Sequence, residues 1–216
     1  MSVSDTTLVD GCARLGIALS SSDAQRLRRL LDELLRWNRA YNLTAIVDPQ
    51  RMLTHHVLDS LAVNAALHGA RIADVGTGAG FPGLPLAVIN PARHFTLIDA
   101  SNKKVRFVAH AARELGLANV DAVHARAEAL TPAEPFDTIV ARAFASLADL
   151  AAAVQGMCGP QTRVLALKGL RPDREIAQLP PVWRVESVQV LAVPGLDETR
   201  HLVVLRHAAA AVDSGS

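Results

Sequence analysis

The densest chemistry in this chain lies in one run, Asp74-Val75-Gly76-Thr77-Gly78-Ala79-Gly80-Phe81-Pro82-Gly83. The apolar segment Arg71-Ile72-Ala73 leads into it and Leu84-Pro85-Leu86-Ala87-Val88-Ile89 follows. The run reads as strand, glycine turn and helix. Glycines let a backbone approach a ligand closely and take positive φ at little cost. A helix start beside such a turn offers N–H donors. The residue types therefore point to a nucleotide-like cofactor. Two spacings coexist in the run. Gly78-x-Gly80-x-x-Gly83 satisfies the dinucleotide fingerprint. Gly76-x-Gly78-x-Gly80 satisfies the pattern that holds S-adenosylmethionine.

Three features tilt the choice to S-adenosylmethionine. Asp74 stands two residues before the first glycine, where a dinucleotide fold continues an apolar strand, and an acid there suits the cofactor's free ammonium. Phe81-Pro82 would crowd a pyrophosphate but suits a sulfonium ligand. The β-rich runs 182–193 and 201–205 flank a turn at Pro194-Gly195, so the sheet should end in a hairpin. Asp99, closing the second strand, suits either cofactor as a ligand for ribose hydroxyls. A methyltransferase is the expectation. A dinucleotide-dependent oxidoreductase is the rival, and a non-enzymatic RNA-binding module is a third reading.

The elements that must position these residues follow from periodicity. Residues 1–69 read as a helical extension. Leu27, Leu30, Leu31, Leu34, Trp37 and Tyr41 recur at helical spacing, and Ser22 with Gln25 offers a capping box. A further helix is expected from about Pro49 to Leu67. From residue 70 strands and helices alternate, with strands at 72–75, 95–98, 120–124, 136–140 and 164–167. Ser101 is expected to cap the helix that stops near Gly116. This alternation implies a doubly wound, Rossmann-like α/β fold with a mostly parallel seven-stranded sheet whose last strand is antiparallel. It is the architecture of class I S-adenosylmethionine-dependent methyltransferases. The catalytic domain is expected at 70–207 and a flexible tail at 208–216.

Composition narrows the setting. The chain has 216 residues, half of them hydrophobic, and a net charge of +1, so no overall polarity marks a partner. Cys12 and Cys158 form no CxxC pattern and read as thiols in a reducing cytosol. No signal segment and no apolar run of membrane-spanning length is present. A cytoplasmic protein is expected, and a monomer, although nothing in the sequence sets an oligomeric state.

Several further motifs surround the glycine run. Trp37-Asn38-x-x-Tyr41-Asn42-Leu43-Thr44 and His56-x-x-Asp59-Ser60-Leu61 precede it. Asp99-x-x-x-Lys103-Lys104-x-x-Phe107, Arg126-Ala127-Glu128, Arg142-Ala143 and Lys168-Gly169 follow. In order and number these resemble the bacterial 16S ribosomal RNA guanine-N7 methyltransferases, also called glucose-inhibited division protein B, over roughly residues 22–206. The resemblance implies methylation of N7 of one guanine in small-subunit RNA, with the RNA or the small ribosomal subunit as partner; the chief rival is a methyltransferase for another RNA or a small molecule, and the oxidoreductase is the rival from a different class. It also implies cofactor contacts at Gly76, Phe81, Ala127, Glu128 and Arg142. Two departures are visible, Ala100 in place of a common serine and Arg206 in place of a common lysine.

The residues can be weighed as chemistry beside that resemblance. Guanine N7 has an exposed lone pair, so no general base is needed, and catalysis should rest on positioning and electrostatics. Asp74, Gly76, Gly78, Gly80, Phe81 and Asp99 are expected around the cofactor. Glu128, just past the third strand, could accept from the adenine amino group, and the backbone of Ala127 could touch the ring. Arg142 and Lys168 close the fourth and fifth strands, where open α/β sheets bind ligands. Both are expected to hold RNA or cofactor, with Arg126 and Arg200 as further RNA-binding candidates. His56 and Asp59, at i and i+3, read as a structural pair. The adjacent His55 and His56 form no metal site. Arg26, Arg28, Arg29, Arg36, Arg39, Arg51, Lys103, Lys104 and Arg106 could form an RNA-backbone footprint if the fold brings them together.

Overall fold

A computed structural model describes residues 5–207. The expected tail lies outside the described residues. Seven strands, β1 (Arg71–Val75), β2 (His94–Asp99), β3 (Val120–His124), β4 (Phe136–Arg142), β5 (Cys158–Lys168), β6 (Trp183–Leu191) and β7 (Arg200–His207), form one sheet. Their order is β3-β2-β1-β4-β5-β7-β6. β1 to β5 run parallel, and β7 runs against both of its neighbours. The order reverses between β1 and β4, and that crevice is where doubly wound sheets bind ligands.

Alternation along each strand sends side chains to two separate cores. Ile72, Leu97, Val140, Leu165 and Leu202 face one core, and Ala73, Ile98, Ile139, Val164 and Val203 face the other. The first core is covered by α1 (Asp5–Arg14), α2 (Ser21–Tyr41), α3 (Pro49–Met52), α4 (Asp59–Leu61), α5 (Gly83–Ile89) and α6 (Asn102–Glu114). The second lies under α7 (Leu147–Val154) and α8 (Asp173–Ala177). The N-terminal helices thus share one continuous core with the sheet.

Local boundaries differ from the sequence expectation at three points. Ser20, not Ser22, caps α2, its hydroxyl accepting from the Asp23 amide at 3.1 Å. Ser20 and Asp23 have the same i, i+3 spacing as the expected box, and the serine hydroxyl also donates to the Asp23 carboxylate at N3. Ser101 occupies the N-cap of α6 without a side-chain cap bond; Asp99 instead accepts from its amide at 2.8 Å. The single helix expected over 49–67 is α3, a π-helical stretch Leu53–Leu58, α4 and a 3-10 turn Asn64–Ala66. π-Helical turns insert into helices mostly at functional sites, and this one carries His55 and His56.

Candidate active site

β1 to β5 all end on one edge of the sheet, and β7 starts there because Lys168 pairs with His201. Antiparallel pairing is what brings Arg200 to the same edge as Arg142 and Lys168. The glycine turn stands at the centre of that edge. Gly76, Gly78 and Gly80 all have φ between +61° and +85°, a region costly for residues with a Cβ. Gly83 answers a steric demand instead. A Cβ there would lie 2.7 Å from both Asp74 Oδ2 and Leu97 Cγ, so the helix can approach the strand only without one.

The amides of this turn point inward. Gly76 and Thr77 donate to Ile98 O at 2.9 and 3.0 Å, Gly80 and Phe81 donate to Thr77 O, and Gly78 donates to Asp99 Oδ2 at 2.9 Å. A pyrophosphate cradle needs such donors free. A cofactor without phosphates, approached by bare glycine backbone, fits this turn better.

Asp74 is completely buried. Its Oδ2 accepts from the Thr77 hydroxyl at 2.6 Å and the Gly83 amide at 2.8 Å. Burial pushes its carboxyl up to about 6, against the pull of those two hydrogen bonds and of Arg142. The expected role beside an ammonium is therefore only half available: one oxygen ties the turn to the helix, and Oδ1 is buried with no hydrogen-bond partner among the described residues. That orphaned acceptor fits a cofactor carrying an ammonium group. Asp99, at the end of β2, is 7% exposed and holds Gly78 and Ser101 by one oxygen each, with Lys104 Nζ 3.6 Å from Oδ2. Ala127 is buried beside Val75 and Ile98, and Glu128 is exposed on the 3-10 turn Ala127–Ala129. These placements fit S-adenosylmethionine: glycine backbone below, Asp99 at the second strand end, Ala127 and Glu128 at the third.

Next to the turn lies a cavity of about 370 Å³ lined by Ile46, His55, His56, Asp59, Arg142, Ala143, Leu167, Lys168, Gly169 and Arg200. Asp59, 2% exposed, stands between two arginines: Arg142 Nη1 is 3.2 Å from Oδ2 and Arg200 Nε 3.2 Å from Oδ1. The first is a hydrogen bond, and Arg142 also donates to His55 O at 2.9 Å. The second is an ion pair too poorly aligned to satisfy Oδ1 as a hydrogen bond. Lys168 Nζ lies 2.8 Å from Glu175 Oε2 and donates to Phe144 O, while Glu175 also accepts from the Leu147 amide. Lys168 thus braces the loop after β4 against the starts of α7 and α8.

Phe81 joins cavity and turn. Its ring stacks on His56 with centroids 4.8 Å apart and has the Arg142 guanidinium 5.8 Å from its centre. Ala143, at φ 61°, turns the chain so that Phe144 passes over Gly76. This left-handed alanine is the kind of local strain that persists where the surroundings over-determine it.

The fold brings together Arg142, Lys168 and Arg200 in the cavity wall, and Asp74, the glycines, Phe81 and Asp99 around the turn. Arg126 is exposed past β3 and outside the cavity lining. Four cations of the expected basic faces are engaged within the protein: Arg29 pairs with Glu114, Arg36 with Glu33, Arg26 with Asp23, and Lys103 donates to Tyr41 O. His56 and Asp59, expected as a structural pair, line the cavity itself. The His-x-x-Asp spacing is the one signal the sequence offers for them; the two distant arginines that turn Asp59 into part of the site leave no mark on it.

A doubly wound sheet with inward-turned glycine amides at its switch point and a cationic cavity beside them defines a class: this is an S-adenosylmethionine-dependent methyltransferase. Solved structures share the fold. TrmN from Thermus thermophilus aligns with a TM-score of 0.57 at 23% identity, covering 80% of this chain and 52% of that one. A SAM-dependent methyltransferase from Aquifex aeolicus aligns at 0.54 and 17%, covering 73% and 93%. Within that class, the chain matches the GidB family model, rRNA small subunit methyltransferase G, over residues 23–203, and it belongs to that family. It is 48% identical over 203 residues to ribosomal RNA small subunit methyltransferase G of Pseudomonas paraeruginosa, covering 94% of this chain and 95% of the relative. The counterpart from Serratia proteamaculans is also 48% identical, covering 88% and 93%.

Among the described residues, no helix is long and apolar enough to cross a membrane.

Proposed function

We propose that this enzyme methylates N7 of a guanine in 16S ribosomal RNA, with the base splayed into the cavity beside the glycine turn. The observation that carries the reading is the cavity at the Phe81–His56 stack. It offers three fixed cations and a buried acid, and its buried imidazole, His56, is a weak base. Burial, then the charge of Arg142, lowers His56 to about 4. When bound, S-adenosylmethionine supplies an electrophilic methyl group on a sulfonium. Guanine N7 attacks such a group with a lone pair it already exposes, so a site without a strong base is adequate for this acceptor. An acceptor hydroxyl or ring carbon would need more.

The chain's own residues position the reactants. Asp99, Gly76, Gly78, Gly80, Ala127 and Glu128 hold the cofactor, with the Asp74 Oδ1 acceptor left for its ammonium. Arg142, held by Asp59 and His55 O, sits between turn and cavity. Lys168 and Arg200 face the nucleotide's phosphates from the far wall. Arg126 lies farther out, where only flanking RNA would reach it. Extrusion of a base from a structured RNA is the general solution for enzymes that act on one.

The test is mass mapping of 16S RNA from a deletion strain, with calorimetric titration of the purified enzyme. Loss of one N7-methylguanine and binding of S-adenosylhomocysteine are expected. An unchanged methylation map would overturn the acceptor, and tight NAD(P) binding without S-adenosylhomocysteine binding would overturn the cofactor.

A further inference from the structure

The buried Nδ1 of His56 has no hydrogen-bond partner among the described residues, although the rest of this side chain is tightly held. Its Nε2 lies 3.0 Å from the Thr44 hydroxyl. That hydroxyl already accepts from the Ile46 amide at 3.1 Å, and Thr44 is fixed by two 2.9 Å hydrogen bonds between its backbone and the Asn38 side chain. The hydroxyl has one proton to place, and we assign it to Nε2, its neighbour at 3.0 Å among the described residues. A neutral ring that accepts at Nε2 carries its hydrogen on Nδ1. The ring plane is set by the stack on Phe81, and the residue, 8% exposed, lines the cavity. A buried donor without a partner carries the full cost of its lost hydration. In a native structure such an exception calls for an explanation, and a ligand is one.

We propose that His56 reads the O6 carbonyl of the acceptor guanine through its Nδ1–H and leaves N7 open to the methyl group. This rests on the guanine-N7 reading above and assigns its base selectivity to one residue. The Hoogsteen edge of guanine presents N7 and O6 side by side. An arginine reads that edge with two prongs and would cover N7, the atom that must react. A single N–H donor, fixed in direction, can take O6 alone. Adenine carries an amino group at that place, which would meet the Nδ1–H donor to donor. Arg142 commits its Nη1 to Asp59 Oδ2 and His55 O, which fixes the direction of its guanidinium. A neutral donor also suits the product, because the methylated purine is cationic and a charged histidine would repel it. Burial and the Arg142 charge supply that neutrality.

The experiment uses the full enzyme on small-subunit RNA whose target guanine, mapped on the wild type, is replaced by 2-aminopurine, which keeps N7 and lacks O6. With wild type, kcat/KM should fall about 10- to 100-fold on the 2-aminopurine RNA, the range of one well-formed base contact. His56→Phe keeps a ring against Phe81. It should lose a similar factor on guanine and discriminate the two RNAs less than about threefold, with S-adenosylhomocysteine affinity unchanged. Thr44→Val removes the hydroxyl that sets the tautomer and should lower the guanine preference without changing the imidazole, and Thr44→Ser should restore it. If His56→Phe folds poorly, the Thr44 pair decides. An unchanged guanine to 2-aminopurine ratio in these variants overturns the assignment to His56. If the wild type methylates no guanine at N7, the functional reading fails first and this assignment falls with it.

Discussion

The two most perturbed titratable groups of the site should show opposite pH signatures in stability. His56 is lowered from 6.5 to about 4, by burial first and by Arg142 and His55 next. Between those values the unfolded chain binds a proton that the folded one refuses. His56's contribution is complete above pH 6.5 and is lost as pH falls through about 4. At about 1.36 kcal/mol per pH unit the loss approaches roughly 3 kcal/mol. Asp74 runs the other way. Burial raises it from 3.8 to about 6, so its contribution is complete below 3.8 and is lost as pH rises through about 6, again by roughly 3 kcal/mol. The two windows overlap, and in the wild type the slopes largely cancel. Single substitutions separate them. Urea unfolding of wild type, His56→Phe and Asp74→Asn from pH 4 to 7.5 at constant ionic strength gives difference curves in which all other groups drop out. The stability gap between wild type and His56→Phe should grow by about 3 kcal/mol from pH 4 to pH 7. The gap to Asp74→Asn should shrink by a similar amount. A flat curve for His56→Phe would mean that the imidazole titrates alike in folded and unfolded chains. The neutral donor at the cavity wall would then be wrong.

Three further outcomes are expected. Asp59→Asn leaves Arg142 and Arg200 without their shared carboxylate; it should cost about 1–3 kcal/mol in urea unfolding and lower kcat more than cofactor affinity, and equal stability with full activity would contradict the clamp. Gly83→Ala forces a methyl to within 2.7 Å of Asp74 Oδ2 and Leu97 Cγ; a loss of about 1–3 kcal/mol and weaker S-adenosylhomocysteine binding should follow, whereas an unchanged melting temperature would show that the helix can move aside. Lys168→Met should reduce the salt dependence of RNA binding by about one counterion if Lys168 meets a phosphate; an unchanged slope would assign it only to bracing Glu175.

Most of the fold is legible in the sequence because each strand carries its own signal. The β-prone segments at 72–75 and 120–124 stand where the strands are, and the Pro194-Gly195 turn marks the antiparallel return. The glycine turn is legible for the same reason: positive φ and close approach are local demands, and glycine answers both. What stays hidden depends on partners far away in sequence. Asp59 meets Arg142 across 83 positions, and no helical periodicity records that. His56 shows the same limit. Alone it is a histidine on a helix; its tautomer is assigned from Thr44, twelve residues earlier, and its ring plane is set by a phenylalanine from the glycine turn. Asp74 is legible as an acid beside the turn, but a sequence does not reveal that Gly83 returns to claim one of its oxygens.

The charges of the site explain how a chain with a net charge of only +1 can handle RNA. Arg142 and Arg200 share Asp59, Arg200 also pairs with Glu198, and Lys168 has Glu175. The cations of the cavity are therefore compensated before any nucleic acid arrives, and Arg36, Arg26 and Arg29 of α2 are compensated by Glu33, Asp23 and Glu114. Compensated cations attract a polyanion weakly at long range, since each already carries its counter-charge within a few ångströms. They still present fixed N–H donors at short range, because a carboxylate on one side of a guanidinium orients the donors on the other. Such an arrangement favours positioning over affinity, and methyl transfer to an already nucleophilic nitrogen needs positioning most. Selectivity then falls to short-range groups that discriminate by hydrogen-bond sense. His56 is such a group in this cavity, with a buried Nδ1 that has no hydrogen-bond partner among the described residues.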